Sequence, residues 1–167
     1  ATHFNLYNLG ISSLEGIQCF PYLEVLHAQV NNLPEVDLSN NPLLEDVCLN
    51  SNPLTSINVK YNLELVELEI TNMDIPSIDI SRNSKLEVLV CDDTLITELD
   101  VTNCPELRIL SCGRLGLENL DIIDDALSPS FKVFIPTGIS KLDNCMNGGL
   151  EKGKMGLIIG SAGFGKT

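Results

Sequence analysis

NLPEVDLSNNPLLEDVCLNSN at 32–52, PLTSINVKYNLELVELEITNM at 53–73, DIPSIDISRNSKLEVLVCDDT at 74–94 and LITELDVTNCPELRILSCGRL at 95–115 stand one beneath another without a gap. The step is 21 residues each time. A partial copy, GLENLDI, follows at 116–122, and ISSLEGIQCFPYLEVLHAQVN before Asn32 reads as an opening repeat of slightly different length. Self-similarity at a fixed short period signals stacked supersecondary units.

The columns of this alignment are apolar. Leu23, Leu44, Leu65, Leu86 and Leu107 form one; Leu26, Val47, Leu68, Leu89 and Leu110 the next; Ala28, Leu49, Ile70, Cys91 and Cys112 a third. The second half of each repeat adds Leu33, Leu54, Ile75, Ile96, Leu117; then Val36, Ile57, Ile78, Leu99, Leu120; then Leu38, Val59, Ile80, Val101, Ile122. No single turn can bury such a face, but copies stacked in register make one continuous core. Leu65→Ala or Leu86→Ala is therefore expected to be costly.

Composition agrees. Apolar residues are 44% of the chain, aromatics only 5%, and Trp is absent, so the core must be built of Leu, Ile and Val. The net charge of −13 is unevenly placed: residues 1–125 carry −16 and residues 126–167 carry +3. A strongly acidic unit repels nucleic acid, whose phosphates are held by Lys and Arg. The six cysteines show no CxxC and no Cys/His metal spacing. Cys91 and Cys112, one repeat apart at a core position, read as small buried hydrophobes, with a reducing cytoplasm as the expected compartment. Cys48 is expected to point outward. No signal peptide or membrane-spanning run is visible in the residues given.

The pattern LEDVCLNSNPL at 44–54 resembles the leucine-rich repeat family, LxxLxLxxNxL. The LEGI at 14–17 and the short period are similar to its internalin-like bacterial subclass. The resemblance covers about 100 residues. It implies a right-handed leucine-rich repeat solenoid with one parallel β-sheet, mostly β and irregular, with few helices. Strands are expected near 24–29, 45–50, 66–71, 87–92 and 108–113. The family's inward Asn falls at Asn31 and Asn52 but is then replaced by Met73, Thr94 and Leu115. A second ladder, Asn41, Asn62 and Asn83, ending at Cys104, is expected to bond backbone across turns.

The resemblance also implies that a partner binds on the concave strand face. Strand alternation places Glu24, Glu45, Asp46, Val66, Glu67, Glu69, Val88, Val90, Asp92 and Arg108 there, with Glu87 and Ile109. Carboxylates around an aliphatic spot suit a basic or amphipathic protein; a solvated acidic face is the alternative. No catalytic set is expected, since neither His3 nor His27 has a Ser, Cys or carboxylate at motif spacing. The paired acids Asp92–Asp93 and Asp124–Asp125 lack any EF-hand pattern.

The repeat ends near residue 125. The expected organisation is a cap repeat at 1–22, leucine-rich repeats at 23–125, a linker at 126–136 and a further unit at 137–167. The last eight residues, GSAGFGKT at 160–167, follow the apolar MGLIIG and match the P-loop, GxxxxGK[ST]. Thr137-Gly138, Leu142-Asp143, Gly148-Gly149-Leu150 and Gly153 precede it in the order found in RecA-like ATPases of the DnaB helicase type. That resemblance covers about 35 residues. It implies that Gly160, Gly163 and Gly165 shape a phosphate loop, that Lys166 meets the β- and γ-phosphates, and that Thr167 binds Mg²⁺. The expectation is that such a start, by itself, holds no cofactor and hydrolyses nothing, and that, if the P-loop is genuine, ATP and Mg²⁺ act at it only within a longer parent, whose further regions would meet DNA. Two functions are thus expected: a protein-binding module without catalysis, or the targeting part of an ATP-dependent helicase.

Overall fold

The computed structural model describes residues 1–113, Leu115 and the strand backbones 119–121 and 132–134. Every strand is three residues long: β1 (His3–Asn5), β2 (Val25–His27), β3 (Asp46–Cys48), β4 (Glu67–Glu69), β5 (Val88–Val90), β6 (Glu98–Asp100), β7 (Ile109–Ser111), β8 (Asn119–Asp121) and β9 (Lys132–Phe134). Seven of them form one sheet in the order β1-β2-β3-β4-β5-β7-β9, all parallel. A second, two-stranded parallel sheet joins β6 to β8 on the other half of the turn. The only helix among the described residues is a 3₁₀ turn at Ile17–Cys19. This is the leucine-rich repeat solenoid.

The strands are shorter than the six-residue spans expected, yet the cross-turn bonding covers those spans. Glu24 O accepts from both Glu45 N and Asp46 N, and beyond the strand Ala28 N donates to Cys48 O and Val30 N to Asn50 O. Register is held at 21 residues from β2 to β5, as in Val25↔Asp46↔Glu67↔Val88. The cap repeat contributes β1, 22 residues before β2, as His3 pairs with Val25. At the far end β9 pairs with β7, Ile109 against Lys132, within the stretch read as a linker.

The leucine columns are sealed. Leu44, Leu65 and Leu86 are wholly buried, and so are Leu26, Val47, Leu68, Leu89 and Leu110. One column departs from expectation: Val36, Ile57 and Ile78 are only partly buried against the core, whereas Leu99 of β6 is buried. Apolar residues alone do not say which side of a turn stays wet.

Polar ladders tie the turns together. Asn31 donates to the carbonyls of Leu6 and Ala28 and accepts from Leu9 N and Ile11 N. Asn52 repeats the pattern with Ala28 O, Leu49 O and Leu33 N. Thr94 keeps one such bond, to Cys91 O, while Met73 fills the site with carbon. The second ladder bonds backbone across turns as expected. Asn41, Asn62 and Asn83 each donate to two carbonyls of the preceding turn, and Cys104 retains a weak sulfur contact to Ile80 O. A third series caps the outer corners: Asp37, Asn58, Asp79 and Asp100 each accept from the backbone N–H two residues on, a local Asx-turn.

Candidate functional site

The exposed face of the seven-stranded sheet, the concave face of the resemblance, consists of rows running across the strands. One row is Val25, Asp46, Glu67, Val88 and Ile109; beside it runs His27, Cys48, Glu69, Val90 and Ser111. Glu24, Glu45, Val66, Glu87 and Arg108 precede the strands, one per turn. Of the residues expected on this face, Asp46, Glu67, Glu69, Val88 and Val90 stand in the two rows, while Val66 flanks β4, and Glu87 and Asp92 flank β5. Acids collect on β3 and β4, and aliphatics on β5 and β7.

Asp46, Glu67 and Glu69 form the acidic centre. Glu67 stands between the other two, and its carboxyl is pushed above the ordinary glutamate range by partial burial first, then by the charges of Asp46 and Glu69. Glu69 is held by Asn50 Nδ2 at 2.7 Å and receives the Cys48 thiol at 3.3 Å. Asp46 Oδ2 lies 2.8 Å from His27 Nε2. The two arginine and lysine pairs among the described residues are already closed: Arg108 bonds Glu87, and Lys85 bonds Glu64. Asp92 is occupied structurally, accepting from Ser111 Oγ at 2.7 Å and from Gly113 N.

Two expectations change here. Cys48 does not present an open thiol; although it sits in an outward row, its neighbours cover it. Register also brings His27, Asp46 and Cys48 together, which motif spacing along the chain does not show; the 21-residue period carries that signal. The trio has the residue types of a thiol hydrolase but not the chemistry. Burial and the nearby Glu69 and Asp46 push the Cys48 thiol up to about 12, and its hydrogen-bond partner is Glu69. A nucleophilic cysteine needs the opposite environment. Among the described residues no group of His, Cys, Asp and Glu has metal-binding geometry.

A groove of 540 Å³ lies away from the strands, between the cap repeat and the first full repeat, bordered by Leu14, Ile17, Val36, Glu15, Glu35 and Asp37. Gly160, Gly163, Gly165, Lys166 and Thr167, whose sequence resembles a P-loop, lie outside the described residues, as does Cys145. Among the described residues no helix is long and apolar enough to cross a membrane.

No protein-family model matches the chain, and no curated protein does. Solved structures do. The functional domain of InlJ from Listeria monocytogenes, which includes a cysteine ladder, superposes with a TM-score of 0.74 at 26% identity, over 81% of this chain and 30% of that one. Internalin C2 from the same organism superposes with a TM-score of 0.55 at 18% identity, over 96% of this chain and 80% of that one, a likeness of fold alone. The chain thus spans less than a third of the length of the InlJ domain it resembles. In fold it is a leucine-rich repeat solenoid of the kind these Listeria internalins have.

Proposed function

We propose that this chain is a protein-binding module and that a basic partner docks on the exposed face of its seven-stranded sheet. The observation that carries the reading is the crowding of Asp46, Glu67 and Glu69 on two adjacent strands, beside the aliphatic spot of Val88, Val90 and Ile109. Like charges held this close destabilise the free chain, and an incoming Lys or Arg relieves them. The aliphatic spot supplies an anchor that water leaves readily. The reading invokes no catalytic step: the Cys48 thiol donates to Glu69 rather than to His27, and burial with the nearby Glu69 and Asp46 pushes it up. The reading carries with it a reducing compartment such as the cytoplasm, since four of the five described cysteines are buried free thiols.

The test is capture from lysate by immobilised chain, comparing the natural protein with a Glu67→Lys/Glu69→Lys variant of unchanged circular dichroism. The natural protein retains basic proteins that elute with salt, and the variant loses them. Identical sets of captured proteins would remove this face from consideration.

A further inference from the structure

The face is divided by strand, and the division has a length. Asp46, Glu67, Val88 and Ile109 occupy one line across β3, β4, β5 and β7. Glu69 and Val90 repeat the change from acid to aliphatic in the next line. Neighbouring strands stand about 4.8 Å apart, so the centre of the acidic half lies roughly 10 Å from the centre of the aliphatic half. Along an α-helix seven residues rise about 10.5 Å and return to the same side.

Backbone chemistry selects the helix over an extended segment. The main-chain groups of this sheet are spent between turns, as where Val66 N and Glu67 N both donate to Glu45 O. A strand laid across the face finds no ladder to join, and its own N–H and C=O groups gain nothing from the sheet. A helix brings its backbone bonds with it and offers side chains alone. Charge sets the direction: Arg108 is closed on Glu87, His27 meets Asp46, and only the neutral Asn50 and Cys48 donate to Glu69. Among the described residues no Lys or Arg therefore pairs with Asp46, Glu67 or Glu69, and the cluster keeps its negative charge for an added cation.

Resting on the reading of this face as the docking site, we infer that its occupant is an amphipathic helix of a partner protein. It lies across the strands with a Lys or Arg over Asp46, Glu67 and Glu69, and an aliphatic residue seven positions away over Val88, Val90 and Ile109. The cationic end points toward β1.

Fluorescence anisotropy with the full chain and designed helical peptides tests this. Each peptide carries the same Lys pair and Leu pair, set four, seven, nine or eleven positions apart; at nine the pairs face opposite sides. The seven-spaced peptide binds about tenfold more tightly than the others, a difference near 1.4 kcal/mol. Glu67→Gln with Glu69→Gln, and separately Val90→Asp, bring it down to their level. Equal affinity at every spacing, still weakened by these substitutions, overturns the helical register and leaves the face standing. A seven-spaced peptide indifferent to the substitutions overturns both. Absence of binding by all four peptides overturns the helix, and the capture experiment then judges the face alone.

Discussion

The side-chain amide of Asn62 reaches back one full turn and donates to the backbone carbonyl of Asn41 at 2.9 Å. It also donates to Leu38 O at 3.0 Å, and the residue is wholly buried. Asn62→Ala removes the second donor from two carbonyls, Leu38 O keeping Asn41 N and Asn41 O keeping Leu44 N, at about 0.5–1.5 kcal/mol for each bond lost. Cys104→Ala, in the same column but with only a 3.8 Å sulfur contact to lose, costs less. Urea unfolding of the two variants measures the contrast; equal losses would remove the ladder from the account of stability.

Val30, Ser51, Asn72 and Asp93 all turn the chain with positive φ, at 58°, 56°, 57° and 53°. Asn and Asp tolerate this backbone, whereas a β-branched residue is strained in it. Val30 is 41% exposed, so little packing is lost if it changes. Val30→Asn raises stability by about 1 kcal/mol and Asn72→Val lowers it by a similar amount. Thermal melts decide the sign of both.

Among the described cysteines only Cys19 is exposed. Burial pushes the thiols of Cys48 and Cys112 up to about 12 and that of Cys91 higher still. Iodoacetamide at neutral pH, followed by peptide mapping, modifies Cys19 well before Cys48, Cys91, Cys104 and Cys112. Rapid labelling of Cys48 would mean that Glu69 and its neighbours do not cover it.

Because Glu67 takes a proton more readily in the folded chain than in the unfolded one, its contribution to stability is full below the ordinary glutamate range. That contribution is lost as pH rises through the raised folded value. Glu67→Gln therefore raises Tm at neutral pH, and its advantage shrinks on acidification. Asp37, Asp79 and Asp100 shift the other way, lowered by their bonds to Ser39, Ser81 and Thr102, but they act in both proteins and drop out of the difference. A difference in Tm that grows toward acid would contradict the crowding at Glu67.

Leu65→Ala costs about 2–5 kcal/mol, since the side chain is wholly buried between turns. Ile57→Ala, in the column that stays partly exposed, costs less. Chemical denaturation of the pair separates a core column from a surface one.

The 21-residue period made most of this architecture legible, because a core shared by stacked turns forces each position to repeat. It showed the leucine columns and the Asn41–Asn62–Asn83 ladder directly. It did not reveal β1, whose HFN carries no apolar alternation and precedes the regular spacing. It overstated the column of Val36, Ile57 and Ile78, since hydrophobicity alone does not tell which side of a narrow turn faces water. On the sheet face it named the residues but not their sorting. Reading His27 against Asp46 and Cys48 needs the strand register, which sets side by side residues about 20 positions apart. The covering of Cys48 depends on where its neighbours' side chains lie, and no spacing encodes that.

Each asparagine in the ladder grips only the turn before it, and each strand pairs only with its immediate neighbours. A whole repeat can therefore be duplicated or excised as a unit: joining Asn52 directly to Asp74 would offer Asn83 the carbonyls of Leu38 and Asn41 in place of those of Val59 and Asn62, with aliphatic columns and a strand edge of the same kind. The face such a gene offers can lengthen by in-frame recombination, one strand at a time, without a new core having to be invented.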